Sequence, residues 1–235
     1  MMIDLHTHIL PNIDDGAGSV EEAIAMTEML LQQGVRLAVF TPHFDPTHLA
    51  LSEFVKRRKA SWALMSESKL PLLPGSETRL HDYLFHYPDL SELCIAQSNY
   101  LLLELPFEKK KERLFEAIDR LMNFYLITPV IAHIERYSMM NDKSIQKLID
   151  MGCVIQLNTS SLMDKNLKKK AFHYLKNGFI DVIASDCHNT TTRVPNIQKG
   201  YEIIEQKYSS EYSHRLLDNS ECIIRGGEIK RVTTI

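Results

Sequence analysis

The apolar runs at residues 37–41, 101–103, 130–132 and 182–184 do not alternate between apolar and polar positions. A strand with one wet face alternates, whereas a strand covered on both faces reads as one unbroken apolar run, as in a parallel sheet or barrel. Parallel neighbours need a crossover, usually a helix. The intervening segments supply it. Ser19 and Glu22 have capping-box spacing, and Ala23, Met26, Leu30 and Leu31 form an apolar stripe before Gly34. Gly152 and Gly178 likewise stand between a helical pattern and the next apolar run, where glycine suits the left-handed position past a helix C-terminus. Strands are expected at residues 2–8, 35–41, 70–77, 100–105, 127–133, 153–158 and 181–186. Helices are expected to start at residue 19 and to cover 52–66, 111–125, 142–151, 164–177 and 196–209. The piece after Glu221 is uninformative. The pattern is that of an α/β fold with about seven strands and helical crossovers. No linker or low-complexity tract interrupts it, so residues 1–235 read as a single domain.

Chemistry collects where these runs stop. The first expected strand carries His6 and His8, His43 lies beyond the second, the third ends at Glu77, and the fourth ends near Glu104. The fifth ends at His133, the sixth at Asn158 and the seventh at Asp186, with His188 shortly after. The C-terminal edge of parallel strands is where α/β folds build active sites. Residues two apart on a strand share a face, so His6 and His8 can converge on one ion, as can Asp186 and His188. Asp4 has the same parity; it is either an orienting partner for one of these imidazoles or a buried polar residue of the strand.

Imidazole and carboxylate without thiolate suit Mn, Fe or Zn. The ligands are too many for one tetrahedral ion, which implies a multinuclear centre with a carboxylate such as Glu77 as bridge. Closely spaced ions acidify a shared water and clamp both oxygens of a phosphoryl displacement. Arg136 and Arg193 lie in loops just past His133 and His188, and guanidinium forks match phosphate oxygens.

Bulk properties narrow the partners. A net charge of −3 and the lack of a basic groove signature argue against a nucleic-acid substrate. Cys94, Cys153, Cys187 and Cys222 show no CxxC spacing, which fits a reducing cytoplasm. The N-terminal stretch lacks a basic start followed by a long apolar run, so no signal peptide is expected. No apolar run is long enough for a membrane helix, so no direct membrane insertion is expected.

Taken together, Met-Ile-Asp-Leu-His6-Thr-His8, Asp14-Asp15-Gly16, Thr-Pro-His43, Pro-Gly-Ser-Glu77, Ile-Ala-His133-Ile-Glu-Arg136 and Ala-Ser-Asp186-Cys-His188-Asn resemble the polymerase and histidinol phosphatase (PHP) superfamily. More narrowly, they resemble the bacterial manganese-dependent protein-tyrosine phosphatases of capsule and exopolysaccharide gene clusters. The resemblance implies a PHP fold, a distorted TIM-like (β/α)7 barrel, holding two or three divalent ions, Mn2+ first, with Fe or Zn compatible. It places His6, His8, Glu77 and Asp186 on one ion, Glu77, Glu104 and His133 on a second, and Asp15, His43 and His188 on a third. The choice of Asp15 over Asp14 rests on the resemblance alone. It further implies that Arg136 and Arg193 bind phosphate, that a metal-bound hydroxide attacks phosphorus, and that tyrosine phenolate leaves. The implied partner is a phosphotyrosine protein, a membrane-associated bacterial tyrosine kinase that controls polysaccharide export.

Competing readings exist for several residues. The chief rival activity is histidinol phosphatase or another small-molecule phosphomonoesterase on the same scaffold. Cys187 and Arg193 form the C-x5-R spacing of cysteine-based tyrosine phosphatases, but the intervening residues lack the glycines that such a phosphate loop uses. His48, His81, His86, His173 and His214 are expected in surface or packing roles, and Glu135 as a solvated or supporting carboxylate. Lys168, Lys169 and Lys170 read as a solvated basic face. Lys109, Lys110 and Lys111 could attract an anionic phosphopeptide.

Overall fold

Every residue of strand β1 (Ile3–Thr7) is buried, the polar Asp4, His6 and Thr7 included. The computed structural model, which describes residues 1–106 and 111–231, shows why. Helix α1 (Val20–Gln32) follows, started by Ser19, whose hydroxyl accepts from the Glu22 N–H. The Glu22 carboxylate does not close the capping box; it accepts from the N–H groups of Gly18 and Thr190 instead. Next come β2 (Leu37–Phe40), β3 (His43–Phe44), α2 (Leu51–Ala63), β4 (Leu72–Pro74), β5 (Glu77–Arg79) and β6 (Tyr100–Glu104). The second half alternates more regularly: α3 (Lys111–Tyr125), β7 (Thr128–Ile131), α4 (Asp142–Asp150), β8 (Val154–Asn158), α5 (Lys168–Lys176) and β9 (Val182–Ala184). Helices α6 (Ile197–Lys207) and α7 (Ser210–Ile224) complete the α-helices and strands among the described residues, and short 3-10 turns, such as Ile134–Arg136, lie between them.

All strand pairs are parallel, in the orders β1-β2-β4 and β3-β5-β6-β7-β8-β9. The sheet curls back on itself. Thr7 and Cys187 form a parallel bridge, and Asp186 N–H donates to His6 O while His8 N–H donates to Cys187 O. Inside the curl, Ile3, Leu5, Val39, Leu102, Val130, Val154 and Val182 pack together, with Ile223 of α7 among them. A larger apolar core lies between the sheet and its helices. Strands with both faces covered account for the unbroken apolar runs.

Several expected boundaries are corrected. Residues 70–77 do not form one strand: β4 pairs with β2, and β5 pairs with β3 and β6. Pro74 lacks a donor, and a Cβ at Gly75 would lie 2.8 Å from Val39 Cγ1, so the chain passes close to β2 and changes sheets there. Glu77 therefore opens a strand. The expected strands 127–133 and 181–186 stop early, because His133 (φ 32°) and Asp186 (φ 52°) turn left-handed. The expected helix 164–177 starts only at Lys168. Its first part is a turn in which Asp164 Oδ1 accepts from the N–H groups of Asn166 and Leu167. Helix α7, capped by Ser209, lies where the sequence pattern predicts no element.

Candidate metal centre

His6 in strand β1 and His8 just past its end come together, with their Nε2 atoms 3.2 Å apart. The far nitrogen of each ring is held. His8 Nδ1 donates to Asp14 Oδ2 at 2.7 Å, and His6 Nδ1 lies 3.3 Å from Gln156 Oε1, an atom that can only accept. These partners fix the tautomer and leave the Nε2 lone pairs facing inward.

Carboxylates close the centre. Glu77 Oε2 lies 3.2 Å from His6 Nε2, 3.3 Å from His8 Nε2 and 3.1 Å from His43 Nδ1. Its other oxygen is 2.6 Å from His133 Nε2. Asp186 Oδ1 lies 3.3 Å from His6 Nε2 and 3.4 Å from His8 Nε2. Glu104, one side of it open to solvent, reaches within 4.0 Å of His133 Nε2. At the outer edge, Asp15 Oδ1 is 3.3 Å from His43 Nε2 and 3.4 Å from His188 Nε2. The potential ligand atoms form three groups, each with all members within 4.8 Å of one another: His6, His8, Glu77 and Asp186; Glu77, Glu104 and His133; and His8, Asp15, His43 and His188. Glu77 is shared by two of these groups, as a bridging carboxylate would be. All nine residues expected as ligands are thus brought to one place.

The structure also separates Asp14 from Asp15. Asp14 turns inward to His8 and accepts from the N–H groups of Gly16 and His43. Asp15 is exposed and faces His43 and His188. The next residue has no room for a side chain, since a Cβ on Gly16 would sit 2.1 Å from His8 O. Gly16→Ala is expected to push this loop off β1, lowering activity about tenfold or more through lost support of His8 and Asp15. Unchanged turnover and metal content would contradict that.

The buried carboxylates set the charge of the imidazoles around them. Burial resists charge on His6, but Glu77 and Asp186 outweigh it and raise its pKa. Burial likewise opposes charge on His8, yet its hydrogen bond to Asp14 and the nearby carboxylates of Asp186 and Glu77 raise its pKa well above the usual range. Glu77 is driven well below its ordinary value despite burial, chiefly by His6 and His133. Desolvation and the His8 charge push His188 down to about 3, so it offers a neutral ring. Asp186 Oδ1 and His188 Nε2 are buried with no hydrogen-bond partner among the described residues. Lone pairs stranded in this way beside neutral and charged imidazoles fit divalent cations, and Mn, Fe and Zn all accept this N/O donor set.

The two arginines meet beside it. Arg193 Nη2 donates to Asp186 Oδ2 at 2.8 Å and Arg136 Nη1 to the same oxygen at 3.4 Å; both side chains remain 39% exposed. They line a cavity of about 500 Å³ with Asn158, Ser160, Ser161, Met163, Asp164 and Leu167. An anion entering this cavity finds free guanidinium N–H groups at its wall.

Two supporting residues were not singled out for a role in the sequence. Gln156 accepts from His133 N–H and donates to Asn158 Oδ1, and Asn158 donates to Asp186 Oδ2 at 2.7 Å. This chain ties β7, β8 and the segment after β9 into one rigid support. Its signal was two amides two positions apart at the end of a buried strand. Glu135 is not solvated: it is buried, accepts from Ser161 Oγ and Asn158 N–H, and its pKa is raised by that burial. Asp4 makes its hydrogen bonds with the backbone N–H groups of His6 and Ser185, and neither imidazole depends on it for a hydrogen bond. Cys187 is fully buried, and burial with Asp4 and Asp186 nearby pushes its thiol far up, which is the opposite of what a nucleophilic thiolate needs. His48, His81, His86, His173 and His214 lie outside the three groups. Of the Lys109, Lys110 and Lys111 run, the first two lie outside the described residues and Lys111 opens α3.

The family model for capsular polysaccharide synthesis, CpsB/CapC, matches residues 2–225. The chain is 32% identical to the tyrosine-protein phosphatase CpsB of Streptococcus pneumoniae over 241 residues, 95% of this chain and 98% of that protein. It is also 32% identical to the tyrosine-protein phosphatase YwqE of Bacillus subtilis, over 98% of this chain and 94% of that protein. A crystal structure from work on these two proteins, described as unique metal-dependent tyrosine phosphatases, superposes with a TM-score of 0.82 at 28% identity, covering 99% of this chain and 98% of that one. Matched by this family model over residues 2–225 and by these relatives over nearly its full length, the chain belongs to the CpsB/CapC family of capsular polysaccharide synthesis proteins.

Proposed function

We propose that this chain is a cytoplasmic, metal-dependent protein-tyrosine phosphatase acting on a membrane-associated bacterial tyrosine kinase that controls capsule or exopolysaccharide synthesis. The observation that carries this reading is the meeting of Arg136 and Arg193 on Asp186, at the wall of a cavity beside the histidine–carboxylate cluster. We read the curled sheet as a distorted TIM-like (β/α)7 barrel in one domain over residues 1–235. Among the described residues no helix is long and apolar enough to cross a membrane.

In this reading His6, His8, Glu77 and Asp186 hold one cation, Glu77, Glu104 and His133 a second, and Asp15, His43 and His188 a third, with Mn2+ favoured over Fe or Zn. Divalent cations there supply concentrated positive charge, which polarises a phosphoryl group and acidifies water. Arg136 and Arg193 would fork onto the phosphoryl oxygens and hold the ester at the cavity wall beside the cluster. Asp14, Gln156 and Asn158 keep His8, His6 and Asp186 from turning as substrate enters. A phenol ionises near 10, so the departing tyrosinate is a stable leaving group that needs little protonation.

Turnover of a phosphotyrosyl peptide after chelation, followed by re-addition of single metals, tests this. Activity is expected to vanish with chelator and to return best with Mn2+. Full activity in chelator would overturn the metal dependence. A higher kcat/KM for histidinol phosphate than for the peptide, measured side by side, would move the substrate to the rival small-molecule class.

A further inference from the structure

Residues 165–177 contain Lys165, Lys168, Lys169, Lys170 and Lys176 and not one Asp or Glu, in a chain whose net charge is −3. Lys170 is occupied, since its ammonium donates to Tyr137 O at 2.7 Å. Lys165, Lys168 and Lys169 are exposed, and none forms an ion pair with a carboxylate among the described residues. Lys168, Lys169 and Lys170 open α5, whose first turn has no acidic residue and whose start has no side-chain cap. Acids are favoured at that end of a helix and cations disfavoured, so this arrangement costs helix stability rather than adding to it.

The basic face adjoins the cavity beside the metal centre. Asp164 and Leu167 line that cavity with Arg136 and Arg193, and they are the chain neighbours of Lys165 and Lys168. Two acids line the cavity: Asp186 accepts from both arginines, and Asp164, exposed, accepts through Oδ1 from the N–H groups of Asn166 and Leu167. Met163 is exposed on the same wall. Phe172, the aromatic residue of this face, lies half-buried beneath Lys168 and Lys207, so it offers no apolar wedge to a lipid surface.

We infer that Lys165, Lys168 and Lys169 form an anion track that reads acidic residues flanking the phosphotyrosine of a peptide substrate. This rests on the phosphotyrosine reading of the site. An extended peptide advances about 3.3–3.6 Å per residue, so one whose phosphate sits in this cavity carries its flanking residues past the wall formed by Asp164 and Leu167, where Lys165 and Lys168 adjoin it. Lysines suit the task because a compact ammonium with rotatable donors accepts a carboxylate from many directions, whereas the guanidinium forks at the cavity demand a fixed phosphate geometry.

The test compares the wild-type protein with a Lys165→Gln/Lys168→Gln/Lys169→Gln variant. Three substrates are used: a phosphotyrosyl peptide with flanking Asp and Glu, the same peptide with Asn and Gln in their place, and p-nitrophenyl phosphate. The variant is expected to lose about tenfold in kcat/KM on the acidic peptide, through KM, because exposed pairs are individually weak and act together. Its kinetics on the neutral peptide and on p-nitrophenyl phosphate stay unchanged, and its Tm does not fall, since like charges leave a helix N-terminus. The wild-type preference for the acidic peptide shrinks in high salt. Equal losses on both peptides, or no loss on either, overturn the track. Loss of binding to phosphatidylserine vesicles with the peptide preference intact assigns the face to a membrane and overturns it as well. Wild-type hydrolysis of p-nitrophenyl phosphate but of neither peptide overturns the phosphotyrosine reading itself.

Discussion

Glu77→Gln is expected to lower kcat/KM for a phosphotyrosyl peptide by about a thousandfold, a loss of about 4 kcal/mol of transition-state stabilisation. The amide keeps the volume and removes the charge. One Glu77 oxygen faces His6, His8 and His43, and the other faces His133, so a single substitution weakens two ligand groups. The amide NH2 would also point a donor at imidazole nitrogens that need to present lone pairs. Metal content, measured by mass spectrometry on the purified variant, is expected to fall with activity. A variant within tenfold of wild type with full metal content would rule out a bridging role for Glu77.

The second large effect separates substrate binding from metal binding. Each preorganised donor to a developing anion contributes about 10²–10³ in rate, so Arg136→Ala/Arg193→Ala is expected to cost on the order of 10⁴ in kcat/KM. The two are coupled through their shared acceptor, Asp186 Oδ2, so the single variants need not multiply to the double. Metal content is expected to stay near wild type, because Asp186 keeps its contacts with His6 and His8 through the other oxygen. A double variant that lost its metals as readily as Glu77→Gln would show that the arginines support the ligand cluster rather than the phosphate. Arg193→Lys is a useful companion: it keeps the charge and loses the fork, and activity well below wild type would show that geometry matters.

The histidines and carboxylates that meet in the cluster were legible because the chemistry is written in residue types at strand ends. His6 and His8 share a face by strand periodicity alone, and a His, Asp or Glu stands near nearly every expected strand terminus. Helix starts were legible for the same local reason, as Ser19 shows at α1. The position of Glu77 was legible but its setting was not. It opens β5 because Pro74 and Gly75 carry the chain from one strand pairing to another, and nothing local says which strand the next segment will join. The late start of α5 was hidden too, since the Asp164 turn competes with a helix for the same backbone N–H groups.

By itself, then, the sequence determined an alternating α/β chain and the kinds of atom available to bind cations, because burial pattern and donor chemistry depend on each residue and its near neighbours. Only the tertiary structure decided which aspartate of the Asp14–Asp15 pair orients His8 and which faces His188, and that Gln156 and Asn158 brace His6 and Asp186. It also decided that His133 and Asp186 leave their strands in a left-handed conformation to reach the cluster. Gln156 is 150 positions from His6 along the chain. A hydrogen bond over that span exists only once the sheet has curled and brought β1 and β8 to the same rim.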